Sequence, residues 1–105
     1  MIKIAPSILA ADPLNLEKDV LRVQEAGCDW LHVDVMDAHF VPNLAYTPDT
    51  VRRLRQVTKL PLDVHLMMTD PETLLDAFLL HTGRRSRACA AQVSDGFYPN
   101  AAYIP

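Results

Sequence analysis

The sequence has 105 residues, 50% of them hydrophobic and 22% charged, a balance that suits one modest packed domain and argues against disorder. A formal net charge of −3 and a pI near 5.7 offer no basic footprint for nucleic acid and no support for a membrane-surface role. No run approaches the roughly 18 apolar residues of a membrane span. The opening Met1-Ile-Lys-Ile-Ala-Pro6 is too short an apolar run for a signal peptide, so a cytoplasmic location is expected.

The first predicted element is a strand over Ile2 to Ser7, a short apolar run that ends in a polar residue. Asp12-Pro13 then opens a helix: the carboxylate can cap an orphan N–H, and the fixed φ of proline suits the first helical position. Leu16, Val20 and Val23 follow at helical spacing, and Gly27 reads as the C-terminal cap. Trp30 to Met36 is a second strand. Thr47-Pro48 opens a second helix with Val51, Leu54 and Thr58 on its inner face, and Leu60-Pro61 stops it. Leu62 to Met67 is a third strand, and Asp70-Pro71 starts a third helix carrying Leu74, Leu75, Phe78 and Leu79.

Strand and helix in alternation mean βαβ units, hence an α/β fold with a parallel sheet covered by helices, either a barrel or an open sheet. The first strand is not followed by Gly-x-Gly-x-x-Gly, which weakens a dinucleotide-binding reading. From His81 the pattern fades. Ala88 to Val93 could form a weak strand, and Arg84, Arg85 and Arg87 make a basic knot without interleaved aromatics. The division expected is a structured unit over 1–80 and an irregular, solvated tail over 81–105. Cys28 and Cys89 have no metal-ligand spacing and read as free thiols in a reducing compartment, with a disulfide as the alternative.

Side chains alternate across a strand. Trp30, His32, Asp34 and Met36 therefore share one face, and Leu31, Val33 and Val35 the other. Asp63, His65 and Met67 likewise oppose Leu62, Val64 and Leu66, while Lys3, Ala5 and Ser7 form the corresponding set of the first strand. The aliphatic faces must meet the helices, so the His/Asp faces point the other way. His32, Asp34 and His65 can then converge near the C-terminal strand ends, where barrels place their active sites. Two imidazoles and a carboxylate are costly to bury unpaired. They suit a divalent metal: zinc, ferrous iron, manganese or cobalt. The competing reading is a set of hydrogen-bonded interior groups. Asp63 reads as a satisfied buried polar group, and His39 and His81 as loop or surface residues. Met36 and Met67 read either as core filler or as an apolar floor under a substrate.

Three motifs stand in order at fixed separations: Ala5-Pro-Ser-Ile-Leu-Ala-Ala-Asp12, His32-Val-Asp-Val-Met-Asp-Ala-His-Phe-Val-Pro-Asn43 and Leu62-Asp-Val-His-Leu-Met67. Together they closely resemble the ribulose-phosphate 3-epimerase family, over residue 1 to about residue 79. The resemblance implies an incomplete TIM (β/α)8 barrel made of the first three βα units. It implies a metal-dependent isomerase of the pentose phosphate pathway, which interconverts D-ribulose 5-phosphate and D-xylulose 5-phosphate by proton abstraction through an enediolate. By motif position, His32, Asp34 and His65 resemble the metal ligands, and Asp34 also resembles one of two acid/base residues. Ser7, His65, Met36 and Met67 resemble substrate contacts, the substrate being a phosphorylated pentulose.

The chain also departs from the family pattern. Ala38 stands where the family usually has glycine, which would be strained if that backbone needs a positive φ. The second acid/base aspartate and the phosphate-binding loop match no position. The loss of pattern after about residue 80 leads to the expectation of a truncated or frame-shifted gene, and so of an inactive fragment as the alternative to an epimerase. Three parallel strands with open edges would also favour self-association, leaving room for a homo-oligomer. Other phosphosugar barrels, such as orotidine phosphate decarboxylase, use an Asp-x-Lys-x-x-Asp set; here His32-Val-Asp-Val-Met-Asp37 carries no lysine.

Overall fold

The computed structural model describes residues 1–83, 85–90 and 102–103. The helix expected to open at Asp12-Pro13 opens there as a short 3-10 turn, Pro13–Asn15, with Asp12 Oδ1 accepting from Leu14 N at 3.0 Å; helix α1 (Leu16–Glu25) itself starts three residues later, behind Asn15, which makes no side-chain cap. Helix α2 (Pro48–Val57) begins with a reciprocal box in which Thr47 accepts from Thr50 N and Thr50 from Thr47 N. Helix α3 (Glu72–Thr82) differs from expectation. Pro71 occupies the cap, one residue later than predicted, so Asp70 contributes only its backbone carbonyl, to Thr73 N at 3.2 Å. Gly27 follows α1 with φ +93°, the left-handed conformation that a helix-ending glycine supplies.

Among the described residues the sheet has five strands in the order β2-β1-β3-β4-β5. Strands β1 (Leu31–Asp37), β3 (Leu62–Met67) and β4 (Arg87–Ala90) run parallel, while two-residue strands β2 (Leu44–Ala45) and β5 (Ala102–Tyr103) pair antiparallel at the edges. Two sequence expectations are corrected here. The run Ile2 to Ser7 forms no strand and only one parallel bridge, Ser7 to His32. The carbonyls of Ile4 and Pro6 accept from Trp30 N and His32 N, but Pro6 has no N–H with which to continue a ladder. The stretch after residue 80, expected to be irregular, holds the end of α3 and then β4, whose four residues pair with β3. The predicted weak strand Ala88 to Val93 overlaps β4 at its start; Ala91 to Val93 and most of the tail lie outside the described residues.

Alternation along β1 and β3 decides the layers. Leu31, Val33, Leu62, Val64 and Leu66 are fully buried, with Val35 at 3% exposure. They meet Val20 of α1, Val51 and Leu54 of α2 and Phe78 of α3 in one core. Each such side chain contributes about 1.5–3 kcal/mol through burial. Arg55 ties the helix ends together: its guanidinium donates to the carbonyls of Thr82 (2.6 Å), Thr58 (2.7 Å) and Leu60 (2.5 Å). Cys28 and Cys89 are free, so the disulfide alternative is not formed. Among the described residues no helix is long and apolar enough to cross a membrane.

Candidate metal centre

The faces of β1 and β3 that turn away from the helices carry the polar side chains. Parallel register sets Asp34 beside His65, His32 beside Asp63 and Met36 beside Met67. His32, Asp34 and His65 each present one donor atom, and these atoms all lie within 4.8 Å of one another. The two imidazoles flank the same oxygen: Asp34 Oδ1 is 2.9 Å from His32 Nε2 and 3.5 Å from His65 Nδ1. The rings are tilted by 55° with centroids 5.7 Å apart.

The other oxygen of Asp34 is held from the N-terminal segment. Ser7 Oγ donates to Asp34 Oδ2 at 2.7 Å while accepting from Leu9 N at 3.2 Å. Ser7 reaches it because its backbone bridges to His32 and caps the 3-10 turn Ile8–Ala10. Tyr46 donates from its hydroxyl to the Ile8 carbonyl at 2.8 Å, tying that turn to the loop before α2.

His32 is held at both ring nitrogens. Nδ1 lies 2.9 Å from Asp63 Oδ2, and Asp63 is in turn gripped by Arg87, Nε at 2.6 Å from Oδ1 and Nη2 at 3.2 Å from Oδ2. The Asp63 hydrogen bond, reinforced by both nearby carboxylates, lifts the His32 pKa despite partial burial. Burial alone would push Asp63 up. The hydrogen bonds from His32 and Arg87 outweigh it and hold that carboxyl at about 2.

A proton on Nδ1 of His32, bonded to Asp63, leaves a lone pair on Nε2 facing the lone pairs of Asp34 Oδ1. That 2.9 Å contact needs a proton shared between the two atoms or a cation seated between the donors. Metal–ligand bonds of about 2.0–2.2 Å in a tetrahedral site separate neighbouring donors by about 3.4 Å. The observed 2.9 and 3.5 Å bracket that value for the two pairs that share Asp34 Oδ1, and the two imidazoles and carboxylate are the donor types a divalent ion takes. His32, Asp34 and His65 are only partly buried, so the face is open to a further ligand.

Around this cluster, Asp37 organises the loops that follow β1 and β3. It accepts from Thr69 N, His39 N and Phe40 N, each at 2.9 Å, and these bonds, that from Thr69 foremost, hold its carboxyl at about 2. Ala38 beside it has φ +66°, a left-handed backbone on a residue with a Cβ. Met36 and Met67 sit side by side and half-buried on the face that carries the cluster. His39 is exposed and bonds the Asp37 carbonyl, and His81 lies in the last turn of α3; neither belongs to the cluster.

Sequence reasoning placed Asp63 on the correct face but gave it no part in the site. The signal was present, since strand parity and parallel register bring it beside His32. The sequence carried no comparable signal for Arg87, which lies in aperiodic text.

Comparison with known proteins agrees with the motifs. Residues 3–87 match the family described as ribulose-phosphate 3 epimerase. Among curated relatives, the ribulose-phosphate 3-epimerase of Bacillus subtilis (strain 168) is 51% identical over 78 residues, covering 74% of this chain and 36% of the relative. The chloroplastic ribulose-5-phosphate-3-epimerase of Arabidopsis thaliana is 53% identical over 78 residues (74% and 28%), and the ribulose-phosphate 3-epimerase of Schizosaccharomyces pombe (strain 972) is 54% identical over 77 residues (70% and 34%). The chain thus spans about a third of the length of the curated relatives it matches. With four-fifths of its residues inside the family match, the chain belongs to the ribulose-phosphate 3-epimerase family.

Proposed function

We propose that this chain forms the metal-holding part of an enzyme that interconverts D-ribulose 5-phosphate and D-xylulose 5-phosphate. The observation that carries the reading is the pair of imidazoles flanking Asp34 Oδ1 at 2.9 and 3.5 Å, on a chain of this family. His32, Asp34 and His65 would hold a divalent ion: zinc, ferrous iron, manganese or cobalt. When bound, such an ion supplies Lewis-acid stabilisation of the negative charge that develops on oxygen when a proton leaves the carbon beside a carbonyl. Asp34 is the group that takes or returns that proton at C3, with Ser7 fixing the orientation of its carboxylate. Ser7 and His65 would also touch the sugar. Met36 and Met67 would line the reacting carbon and exclude water.

The parallel strands β1, β3 and β4, with helices on one face and polar groups on the other, support an arc of a (β/α)8 barrel. In this reading, residues 1–80 are the N-terminal part of the barrel domain. The free cysteines suit a reducing cytoplasm.

Epimerisation needs a proton moved at both faces of the carbon. Among the described residues near the cluster only Asp34 is a candidate, because Asp63 is engaged by His32 and Arg87, and Asp37 by backbone N–H groups. That favours a second reading, in which the chain has no turnover of its own. The two readings part in one experiment: NMR of each pentulose 5-phosphate in D2O with zinc- or iron-loaded protein. The expected result is deuterium entering C3 of one epimer only, with no conversion to the other, and loss of exchange in Asp34→Asn. Absence of exchange in either epimer would establish the inactive reading, and full epimerisation would refute the single-base geometry.

A further inference from the structure

His32, Asp63 and Arg87 form a chain of contacts across β1, β3 and β4, lying side by side through the parallel register His32 to Asp63 to Arg87. Asp63 is only 6% exposed, and both of its oxygens are bonded. Arg87 is positioned in turn by Trp30, its guanidinium carbon lying 5.7 Å from the ring centroid. Nothing in the proton transfer requires Asp63 or Arg87.

We propose that Asp63 is a positioning residue. It holds His32 with Nδ1–H toward itself and the Nε2 lone pair toward Asp34, and Arg87 fixes which carboxylate oxygen faces the imidazole. The inference rests on the metal reading of the preceding section for its consequence, ion affinity, but its geometric content is separable from that reading. A carboxylate behind a ligating imidazole fixes the tautomer and raises ligand basicity, and losing such a partner typically costs about 10–100-fold in metal affinity.

The role of Arg87 makes the inference specific. In Asp63→Asn one oxygen becomes an NH2 group. The 2.6 Å contact from Arg87 Nε to Oδ1 is the tighter of the two guanidinium contacts, so the amide oxygen must stay there. The NH2 then faces His32 Nδ1, which can no longer donate and must accept. The ring proton moves to Nε2 and the ligand lone pair is lost. Removing Arg87 as well frees the amide to turn its oxygen back toward His32. The second substitution should therefore repair the first.

Two measurements test this on the 105-residue chain and its variants. The first is zinc affinity by competition with a chromophoric chelator. Asp63→Asn is expected to weaken zinc by about 10–100-fold, Arg87→Ala by much less, and the double variant to regain most of the loss. The second is proton–nitrogen NMR of the metal-free protein, which reads whether His32 Nδ1 carries a proton protected from exchange. A His32 Nδ1–H resonance protected from exchange is expected in the unsubstituted chain, lost in Asp63→Asn and present again in the double variant. Equal affinities for the unsubstituted chain and Asp63→Asn, a double variant no better than Asp63→Asn, or an unprotected Nδ1–H would each overturn the inference. If the chain bound no zinc but showed the protected resonance and its loss and return, the positioning role would stand and the metal reading would fall.

Discussion

Ala38 gives a prediction whose size can be worked from the backbone alone. Its φ of +66° is a left-handed conformation, and its side chain is exposed, so replacing it with glycine changes little packing. An L-residue in that region costs roughly 1–2 kcal/mol. Glycine removes the cost but gains unfolded-state freedom worth roughly 0.5–1 kcal/mol. The net expectation for Ala38→Gly is a stabilisation of about 0.5–1 kcal/mol, or a rise in Tm of about 2–8 °C for a domain of this size. Urea unfolding followed by fluorescence of Trp30, the single tryptophan, gives the readout. Ala10→Gly is the control, because Ala10 is also exposed but sits in a 3-10 turn and is not among the positive-φ residues. The control should lose about 0.5–1 kcal/mol. If Ala38→Gly destabilised as much as the control, the left-handed strain in the loop beside Asp37 would be absent and the reasoning refuted.

Leu66, fully buried between the sheet and its helices, should cost about 2–5 kcal/mol on replacement by alanine, measured by the same urea titration; a change under about 1 kcal/mol would contradict the assigned core. Asp37 and Asp63, both held at about 2 against an ordinary 3.8, contribute stability that is fully present above about 3.8 and lost as pH falls toward 2. The urea midpoint should therefore drop between about pH 4 and pH 2, and drop less in Asp37→Asn; an unchanged slope in that variant would remove Asp37 from the acid response. Zinc at about 100 times its Kd should add about 2.7 kcal/mol of stability to the unsubstituted chain and clearly less to His65→Ala at the same zinc concentration, read as thermal shifts with and without the metal.

The elements nearest the site were the most legible in the sequence. Alternation along residues 31–37 and 62–67 fixes which side chains meet the helices, and the same parity turns His32, Asp34 and His65 to the opposite face. Cap chemistry located the start of α2 and of the 3-10 turn that leads into α1, because Thr47 and Asp12 each bond the backbone locally. It misplaced the cap of α3 by one residue, since proline tolerates either the cap or the first helical position. The segment Ile2 to Ser7 read as a strand from its apolar content, yet ladder pairing depends on neighbours and on N–H groups that composition does not reveal. Strand β4 was obscured because Arg87 occupies a position that faces the polar side of the sheet, where its role depends on a partner 24 residues earlier. The left-handed backbone at Ala38 was anticipated only through the family pattern; the residue itself gives no sign of it.

The central claim is that one cation can be shared by His32, Asp34 and His65. X-ray absorption spectroscopy at the zinc edge, on zinc-loaded protein, tests it most directly. The expected spectrum shows two imidazole nitrogens and carboxylate oxygen at about 2.0–2.2 Å, with one imidazole lost in His65→Ala. A shell of water oxygens alone, or one unchanged in that variant, would contradict the claim.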